Sequence, residues 1–270
     1  MKGLFLQGGG ALGAWQAAAL EALVLAGQRF DVIMGFSIGA VNGSALAFDR
    51  LPEAMARWRA LSAGALRLSP RLSPLSLCSI DPLRAFFEPA RDEAAAKVAL
   101  RCDFTVITAC RAENAPINAR FTPHARDGWD GPLIEHAVAS CAIPLVFPPV
   151  DLSYRGRAVR LIDGGVPMGA PLDLAPLARC AEILVVEMVR AEDLGTRWWT
   201  PWRDIDQRCR EASRSLVDEG LAPLLRSANP PRVRRLAPSR RLEPMMLDFR
   251  KAGLAKMLAQ GAADAHAFLA

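Results

Sequence analysis

A serine stands in a Gly-x-Ser-x-Gly pattern near the start of the chain, as Gly-Phe-Ser-Ile-Gly at residues 35–39. This pattern is typical of a serine on a tight strand-to-helix turn, because small flanking residues let the backbone bend and expose the hydroxyl. The flanks agree, since residues 31–34 predict a short buried strand and the small residues of 40–47 predict a helix. A serine hydroxyl is a weak nucleophile until a neighbouring base takes its proton. Ser37 is therefore a candidate nucleophile that needs a base from elsewhere in the chain.

The three histidines are poorly placed to be that base. His124 lies in a polar loop, His136 in a predicted helix, and His266 in a helical pattern near the end of the sequence. In ordinary Ser-Asp-His hydrolases of this motif the histidine comes last, on a loop after a late strand. We therefore expect each of the three to be a surface or structural histidine.

Asp163 is a better candidate for the base. It ends a strand predicted at residues 157–162, and Gly164 and Gly165 follow it, which let the backbone turn sharply and leave room for a ligand. Because Ser37 also follows a strand, both side chains are expected to emerge at the same C-terminal edge of a parallel sheet. Taken alone, Asp-Gly-Gly is explained equally well as a plain turn. Its position behind a glycine turn and a Gly-x-Ser-x-Gly motif favours the catalytic interpretation.

A glycine-rich turn precedes the serine. Residues 8–13 read Gly-Gly-Gly-Ala-Leu-Gly, between a strand predicted at 2–6 and a helix predicted at 11–26. The spacing also satisfies the dinucleotide fingerprint, but that fold needs an acid at the end of its second strand, and Asp31 begins its strand. Backbone N–H groups at such a turn can instead hold a developing negative charge. An oxyanion hole, a cofactor cradle and a structural turn are the three interpretations, and the nucleophile motif on the next strand favours the first.

Four blocks of sequence occur in the order found in one known family. They are Gly-Gly-Gly-Ala-Leu-Gly at 8–13, Gly-Phe-Ser-Ile-Gly-Ala at 35–40, Ala-Ser-Cys-Ala-Ile-Pro at 139–144 running to Phe-Pro-Pro-Val at 147–150, and Asp-Gly-Gly at 163–165. On these blocks the chain resembles the patatin-like phospholipases from residue 1 to about 190. The Asp-Phe pair at 248–249 and the helix after it are similar to that family more weakly.

The resemblance implies a serine hydrolase that cleaves acyl esters of lipids through an acyl-enzyme on a Ser-Asp dyad. In the mechanism that we expect, Ser37 attacks the acyl carbonyl, and Asp163 takes its proton and later activates water. Backbone N–H groups of the turn and the helix start are expected to hold the oxyanion, at Gly8, Gly9, Gly10 and Ile38. Further glycines are expected to support these turns, namely Gly13, Gly35, Gly39, Gly164 and Gly165. No metal and no cofactor are expected.

Two features depart from the family pattern. Members often carry Arg or Lys after the glycines, where this chain has Leu12, which removes a charge near the expected oxyanion site. Residues 191–230 match no part of the pattern. We expect a single patatin-like domain over 1–270, with its core at 1–190 and a less certain C-terminal part at 191–270.

Strands and helices alternate along the chain, which predicts a three-layer α/β/α fold with a central, mainly parallel sheet. Strands are expected at 2–6, 31–34, 104–109, 118–121 (an edge strand), 157–162, 182–188 and 232–236. Helices are expected at 11–26, 40–47, 52–61, 132–140, 204–228 and 250–269. The Pro-, Ser- and Leu-rich residues 66–82 predict an irregular excursion, which we expect to cover the acyl site.

Composition limits the partners and the location. The six cysteines form no C-x-x-C pair and have no histidine at metal-ligand spacing, so they are expected to be reduced. The net charge of +5 favours anionic surfaces without specifying one. No apolar run approaches the roughly 20 residues of a membrane span. The first residues lack the form of a signal peptide, and a cytoplasmic protein is expected.

Two further segments of the sequence indicate which partners the protein binds. Three tryptophans lie between arginines at 197–203, an arrangement that suits a lipid headgroup layer and equally a packed loop. They predict peripheral membrane contact as an alternative to packing. The basic residues 232–241 have no aromatic stacking pattern beside them, so no nucleic-acid partner is expected. A lipid or acyl-ester substrate is expected, and the oligomeric state is not specified.

Two other classes of function compete with a lipid acyl hydrolase. One is a soluble esterase, thioesterase or acyltransferase that uses the same acyl-enzyme on small acyl groups. The other is a non-enzymatic nucleotide- or acyl-binding protein, whose ligand binding would not need Ser37.

Overall fold

The computed structural model describes residues 1–61, 66–86, 92–123 and 128–270. Its strands are β1 (Lys2–Leu6), β2 (Val32–Phe36), β3 (Leu68–Leu72), β4 (Leu75–Cys78), β5 (Asp103–Cys110), β6 (Ala115–Phe121), β7 (Val150–Tyr154), β8 (Arg157–Asp163), β9 (Glu182–Val186) and β10 (Arg232–Leu236). Its helices are α1 (Gly13–Leu25), α2 (Ile38–Ala47), α3 (Leu51–Ala60), α4 (Asp81–Phe86), α5 (Glu93–Ala99), α6 (Leu133–Ala139), α7 (Pro201–Leu225) and α8 (Lys251–Leu269).

The main sheet is mixed, with mostly parallel pairs. Its order is β10-β9-β1-β2-β5-β8-β7, and β6 also pairs with β5. The first five strands of that order run parallel to their neighbours. The strands β6, β7 and β8 form antiparallel pairs. The prediction of a mainly parallel sheet flanked by helices is confirmed.

Side chains of the central strands alternate between two cores, one on each face of the sheet. On β1, Leu4 and Leu6 belong to the larger core, whereas Phe5 belongs to the smaller one. Helices α1, α2, α3 and α8 contribute to the larger core, and α7 contributes Val217 and Leu221 to the smaller one. A sheet with helices on both faces buries its central strands on both sides, which explains their continuous apolar sequence.

Strand β5 carries the junction that matters for the site. Residues 103–107 of β5 pair with β2, and residues 108–110 pair with β8 on the same edge, because β6 takes the other edge. Strand β8 runs antiparallel to β5, so its C-terminal end points at the C-terminal end of β2. The expectation that Ser37 and Asp163 share one edge of parallel strands is therefore wrong. The two strand ends meet head to head instead.

Most predicted elements agree with the structure to within about three residues, but the sequence predicted neither α4 nor α5. The stretch at 66–82 was predicted to be irregular, but most of it forms the antiparallel hairpin β3–β4. Residues 150–154 form β7, where only an extended path was predicted. Helix α7 begins at Pro201 rather than 204, because proline is well suited to the first helical position. His124 lies outside the described residues.

The C-terminal helix packs against the core. The Trp15 indole N–H donates a 2.7 Å hydrogen bond to Asp264 Oδ2 of α8. A Cβ atom on Gly261 would lie 2.1 Å from the Trp15 carbonyl oxygen, so α8 approaches α1 as closely as a glycine permits. Of the helices in the described ranges, none has the length and apolar character to cross a membrane.

Candidate active site

Ser37 occupies a strained turn between β2 and α2. Its backbone has φ 53° and ψ −134°, a conformation that residues other than glycine rarely adopt. Such strain costs about 1–3 kcal/mol and is concentrated at functional sites. The turn is tight because a Cβ on Gly39 would lie only 2.3 Å from the Leu6 carbonyl oxygen. The Gly-x-Ser-x-Gly pattern therefore reflects a backbone that bends against β1.

Ser140 holds the backbone of Ser37, a role that the sequence did not indicate. The Ser37 N–H donates a 2.8 Å hydrogen bond to Ser140 Oγ, and Ser140 Oγ donates a 2.6 Å bond to the Ile107 carbonyl oxygen. Ser140 is buried just after α6 and connects the nucleophile turn to β5. Its only sequence signal was its place in the block at 139–144.

The hydroxyl of Ser37 lies against the carboxyl group of Asp163. Ser37 Oγ donates a 2.7 Å hydrogen bond to Asp163 Oδ2, and the Gly165 N–H donates a 2.7 Å bond to Asp163 Oδ1. Both Ser37 and Asp163 are buried. The Asp163 N–H donates to the Ala142 carbonyl oxygen at 3.0 Å, which fixes the end of β8. The two residues singled out from the sequence are thus in direct contact.

Burial sets the acidity of Asp163. Burial raises its pKa to about 7, because a carboxylate loses its hydration there. The hydrogen bonds from the Gly165 N–H and the Ser37 hydroxyl lower the pKa by less than burial raises it. An ordinary aspartate, with a pKa near 4, is a weak base for a serine hydroxyl, whereas a carboxyl group titrating near 7 is well matched to proton transfer at neutral pH.

The glycine turn lies beside the nucleophile. A Cβ on Gly8 would lie 2.7 Å from the Ser37 Cβ. Gly10 has φ +56°, and a Cβ there would lie 2.1 Å from the Met246 carbonyl oxygen, so only glycine fits this turn. The backbone N–H groups of Gly9 and Gly10 donate no hydrogen bond to any described residue. An oxyanion that forms beside the serine hydroxyl requires N–H donors of this kind, which are not already bonded to another acceptor.

The remaining glycines of the predicted set surround the same turn. Gly13 lies against Ile38, Gly35 against Gly39, and Gly164 against Ile107. The Gly165 N–H is the donor to Asp163. Ile38 begins α2, so its N–H belongs to the unpaired first turn of a helix.

Ser37 opens into an apolar cavity of about 450 Å³. Its lining residues come from α2, α3, the hairpin flanks and the C-terminal segment: Gly10, Ser37, Ile38, Val41, Arg57, Trp58, Ala60, Leu61, Leu66, Ser79, Pro82, Leu83, Cys141, Ile143, Phe147, Leu247 and Phe249. Nearly all of these side chains are apolar, which suits a hydrocarbon chain. Of the stretch at 66–82, which is expected to cover the acyl site, Leu66, Ser79 and Pro82 line the cavity. The sequence did not indicate the contributions of α3 or of Leu247.

A family model decides the relationship to known proteins. The model described as patatin-like phospholipase matches residues 4–176, which is more than half of the chain. The chain belongs to the patatin-like phospholipase family. The resemblance seen in the sequence is therefore confirmed.

Two solved structures are similar to this patatin-like chain at low identity. VipD from Legionella pneumophila is 13% identical with a TM-score of 0.47, covering 99% of this chain and 66% of VipD. The type III effector protein ExoU is 15% identical with a TM-score of 0.43, covering 99% of this chain and 52% of ExoU. The patatin-like chain thus spans less than two thirds of the length of either protein. A comparison with curated proteins gave no match.

Neither of the two histidines within the described residues, His136 and His266, forms a hydrogen bond with Ser37 or Asp163. His136 is buried between the rings of Phe121 and Tyr154, and neither of its ring nitrogens has a partner among the described residues. Burial lowers its pKa to about 4, which keeps the ring neutral at pH 7. His266 is exposed on α8.

Two sequence features that bear on ligands also have a structural position. Leu12, where the family often carries Arg or Lys, is fully buried in the larger core, and Arg57 supplies a cation to the cavity wall.

Within the described ranges, no group of three or more His, Cys, Asp or Glu side chains is arranged to hold a metal ion. Burial raises the pKa of the Cys141 thiol well above its usual value, so this cavity-lining group stays a neutral thiol.

Proposed function

We propose that this protein is a serine lipid acyl hydrolase that cleaves carboxylic esters of phospholipids and related lipids on a Ser37–Asp163 dyad. The observation that carries the proposal is the 2.7 Å hydrogen bond from Ser37 Oγ to Asp163 Oδ2 at the wall of an apolar cavity. Membership in the patatin-like phospholipase family supports the same class of substrate.

In the proposed acylation step, Ser37 Oγ attacks the ester carbonyl carbon while its proton moves to Asp163 Oδ2. The raised pKa of Asp163, about 7, supports this transfer. The oxyanion receives hydrogen bonds from backbone N–H groups of the turn at Gly8, Gly9 and Gly10 and from Ile38. When the intermediate collapses, the C–O bond to the leaving alcohol breaks, and Asp163 returns the proton to that oxygen. The acyl group remains on Ser37.

In the proposed deacylation step, water takes the place of the alcohol. Asp163 accepts a proton from this water, and the hydroxide oxygen attacks the acyl carbonyl carbon of the acyl-enzyme. The bond to Ser37 Oγ then breaks, the serine regains its proton, and a fatty acid leaves. No ion or cofactor enters either step, because the carboxyl group and the N–H groups supply the acid–base and electrostatic functions.

The size and apolar lining of the cavity favour substrates with a long acyl chain over substrates with a small acyl group. The cavity has a volume of about 450 Å³, and aliphatic and aromatic side chains such as Val41, Trp58 and Leu83 line it. Each methylene that leaves water for such walls contributes about 0.8 kcal/mol. We therefore propose that long-chain esters are better substrates than acetyl esters, and that residues 1–270 act as one domain.

Peripheral contact with a lipid surface is part of the proposal. Of the three tryptophans, Trp198 is half-buried, with the Arg203 and Arg241 guanidinium groups 5.0 and 5.3 Å from its ring centre. Trp199 and Trp202 are exposed at the start of α7. Of the three tryptophans, only these two have exposed rings.

The test is to follow lipid products by mass spectrometry after incubating the protein with phospholipid vesicles. The wild-type protein is expected to release fatty acids, and the variants Ser37→Ala and Asp163→Asn are expected to lose at least about a thousandfold in kcat. Ser44→Ala is the matched control, since Ser44 lies in α2, the helix that follows Ser37, and its hydroxyl donates only to the Val41 carbonyl oxygen. Retained hydrolysis in a folded Ser37→Ala protein would refute the assignment.

A further inference from the structure

Five leucines form an exposed surface beside the cavity, which we call the leucine rim. Four belong to the β3–β4 hairpin and one to the loop before β7. Their exposed fractions are 76% for Leu68, 94% for Leu72, 57% for Leu75, 54% for Leu77 and 62% for Leu145. Scattered single leucines on a surface are normal, but an apolar group of this size marks an interaction site.

The alternation of β4 is the reverse of the usual pattern. Leu75 and Leu77 point outward, whereas Ser76 and Cys78 are buried. A strand with one solvated face normally places polar side chains outward and apolar ones inward. The hairpin therefore presents its hydrocarbon to the outside, where folding of this chain gains nothing from it.

The leucine rim is held in place by backbone hydrogen bonds. The Leu77 N–H donates to the Leu145 carbonyl oxygen at 3.0 Å, and the Cys78 N–H donates to the Val146 carbonyl oxygen at 2.8 Å. At the base of the hairpin, the Ser79 N–H donates to the Arg67 carbonyl oxygen at 2.9 Å. These bonds tie the hairpin to the loop that carries Leu145. Leu72 pairs with Leu75, so Leu72, Leu75 and Leu77 share the outward face of the hairpin, and Leu68 and Leu145 are exposed beside it.

The segments that carry the leucine rim also contribute to the cavity. Leu66 and Ser79, on either side of the hairpin, both line the cavity. Ile143 and Phe147, on either side of Leu145, line it as well. Each of Leu68, Leu77 and Leu145 is therefore two residues away in sequence from a residue that lines the cavity, which places the leucine rim at the cavity mouth.

The charge around the rim fits an anionic partner. Between residues 66 and 80 the sequence contains two arginines and no acidic residue. Arg67 and Arg71 are both exposed on the hairpin. The next acid, Asp81, accepts hydrogen bonds from Ser79 and Arg84. Aliphatic side chains flanked by arginines match the boundary between acyl chains and phosphate headgroups.

We infer that the leucine rim inserts into the acyl layer of a bilayer with anionic headgroups and holds the cavity mouth on the membrane. The inference rests on the proposed lipid substrate, and it assigns the docking face to the hairpin rather than to the exposed Trp199 and Trp202. A lipid partner is favoured over a protein one because the rim lies at the mouth of the acyl cavity. Leucine is also under-represented among the energetic anchors of protein interfaces.

The test uses full-length protein and flotation with vesicles of phosphatidylcholine and phosphatidylglycerol. The variant Leu72→Ser/Leu75→Ser is expected to bind about a hundredfold more weakly, since each of the two leucines that enters hydrocarbon contributes about tenfold. Its hydrolysis of soluble p-nitrophenyl acetate is expected to equal that of wild type. Leu25→Ser/Leu225→Ser is the matched control, because both leucines are exposed at helix ends.

Two further variants separate the forces and the surfaces. Arg67→Ser/Arg71→Ser is expected to lower affinity for anionic vesicles by about fivefold per arginine and to leave affinity for neutral vesicles unchanged. Trp199→Ser/Trp202→Ser is expected to bind as wild type does.

Three outcomes would overturn the inference. They are unchanged vesicle binding in the Leu72/Leu75 variant, loss of binding only in the tryptophan variant, and a change in oligomeric state by gel filtration without a change in vesicle binding. Failure of the proposed function is distinguishable, since it would appear as absent hydrolysis of the soluble ester in a protein that still floats with vesicles.

Discussion

Ser37 Oγ lies 2.7 Å from Asp163 Oδ2 because the strands that carry the two residues point at each other along one edge of β5. Phe36 pairs with Ile107, and Asp163 pairs with the next residue, Thr108. The end of β2 and the end of β8 are thus adjacent on a shared backbone template. This arrangement brings a carboxyl group to the serine directly, and no histidine is needed to bridge them.

The pH dependence of hydrolysis is expected to follow Asp163. Burial raises its pKa to about 7, and the proposed base acts only when it is deprotonated. The value of kcat/KM is therefore expected to fall about tenfold per pH unit below about pH 7 and to level off above it. Initial rates with a soluble p-nitrophenyl ester from pH 5 to 9 measure this. An inflection near pH 4 would contradict a buried base.

The same pKa predicts that Asp163→Asn stabilises the fold while it removes activity. The carboxyl group titrates near 7 when folded and near 3.8 when unfolded, so its contribution to the stability of the folded state is lost as pH rises from about 4 through 7. A neutral asparagine avoids the burial of charge. At pH 8 we expect a gain of about 1–3 kcal/mol in the free energy of unfolding, measured by urea denaturation.

Two comparisons complete that experiment. At pH 4 the variant and the wild type are expected to differ little, because the native carboxyl group is then protonated. Ser37→Ala, which keeps the buried carboxyl group, is expected to show no comparable gain at pH 8. Lower stability of Asp163→Asn than of wild type at pH 8 would show that the lost hydrogen bonding outweighs the charge.

The motifs of this chain were readable from the sequence because their causes are local. Position 39 requires glycine because the backbone passes close to Leu6. Position 10 requires glycine because its φ is positive and Met246 lies against it. Periodicity likewise located most strands and helices, since the two faces of the sheet fix the apolar positions.

What sequence did not predict depends on contacts between distant segments. Nothing local marks β8 as antiparallel, because its direction is decided by pairing with β5. Ser140 supports the Ser37 backbone from 103 positions away. The leucines of β4 predicted no strand, since they face outward where the usual pattern of alternation places polar residues.

Ser140→Ala is expected to impair both the fold and the nucleophile. Removing its hydroxyl leaves the buried Ser37 N–H without an acceptor, which costs about 1–3 kcal/mol of stability. Because that N–H fixes the turn, kcat is expected to fall several-fold while KM changes little. Urea denaturation and steady-state kinetics measure the two effects. Ser44→Ala again serves as the control, and equal stability of the two variants would contradict a role for Ser140.

Filling part of the cavity is expected to change chain-length preference. Leu83, on α4, lines the cavity, and Leu83→Trp takes up volume that a long acyl chain needs. We expect kcat/KM for a p-nitrophenyl palmitoyl ester to fall about tenfold, the effect of about 1.4 kcal/mol of lost binding. The acetyl ester is expected to react as it does with wild type, because its chain ends close to Ser37. Leu83→Met, of similar volume, is the control. A parallel loss with both esters would mean that the substitution disturbs Ser37 rather than the acyl chain.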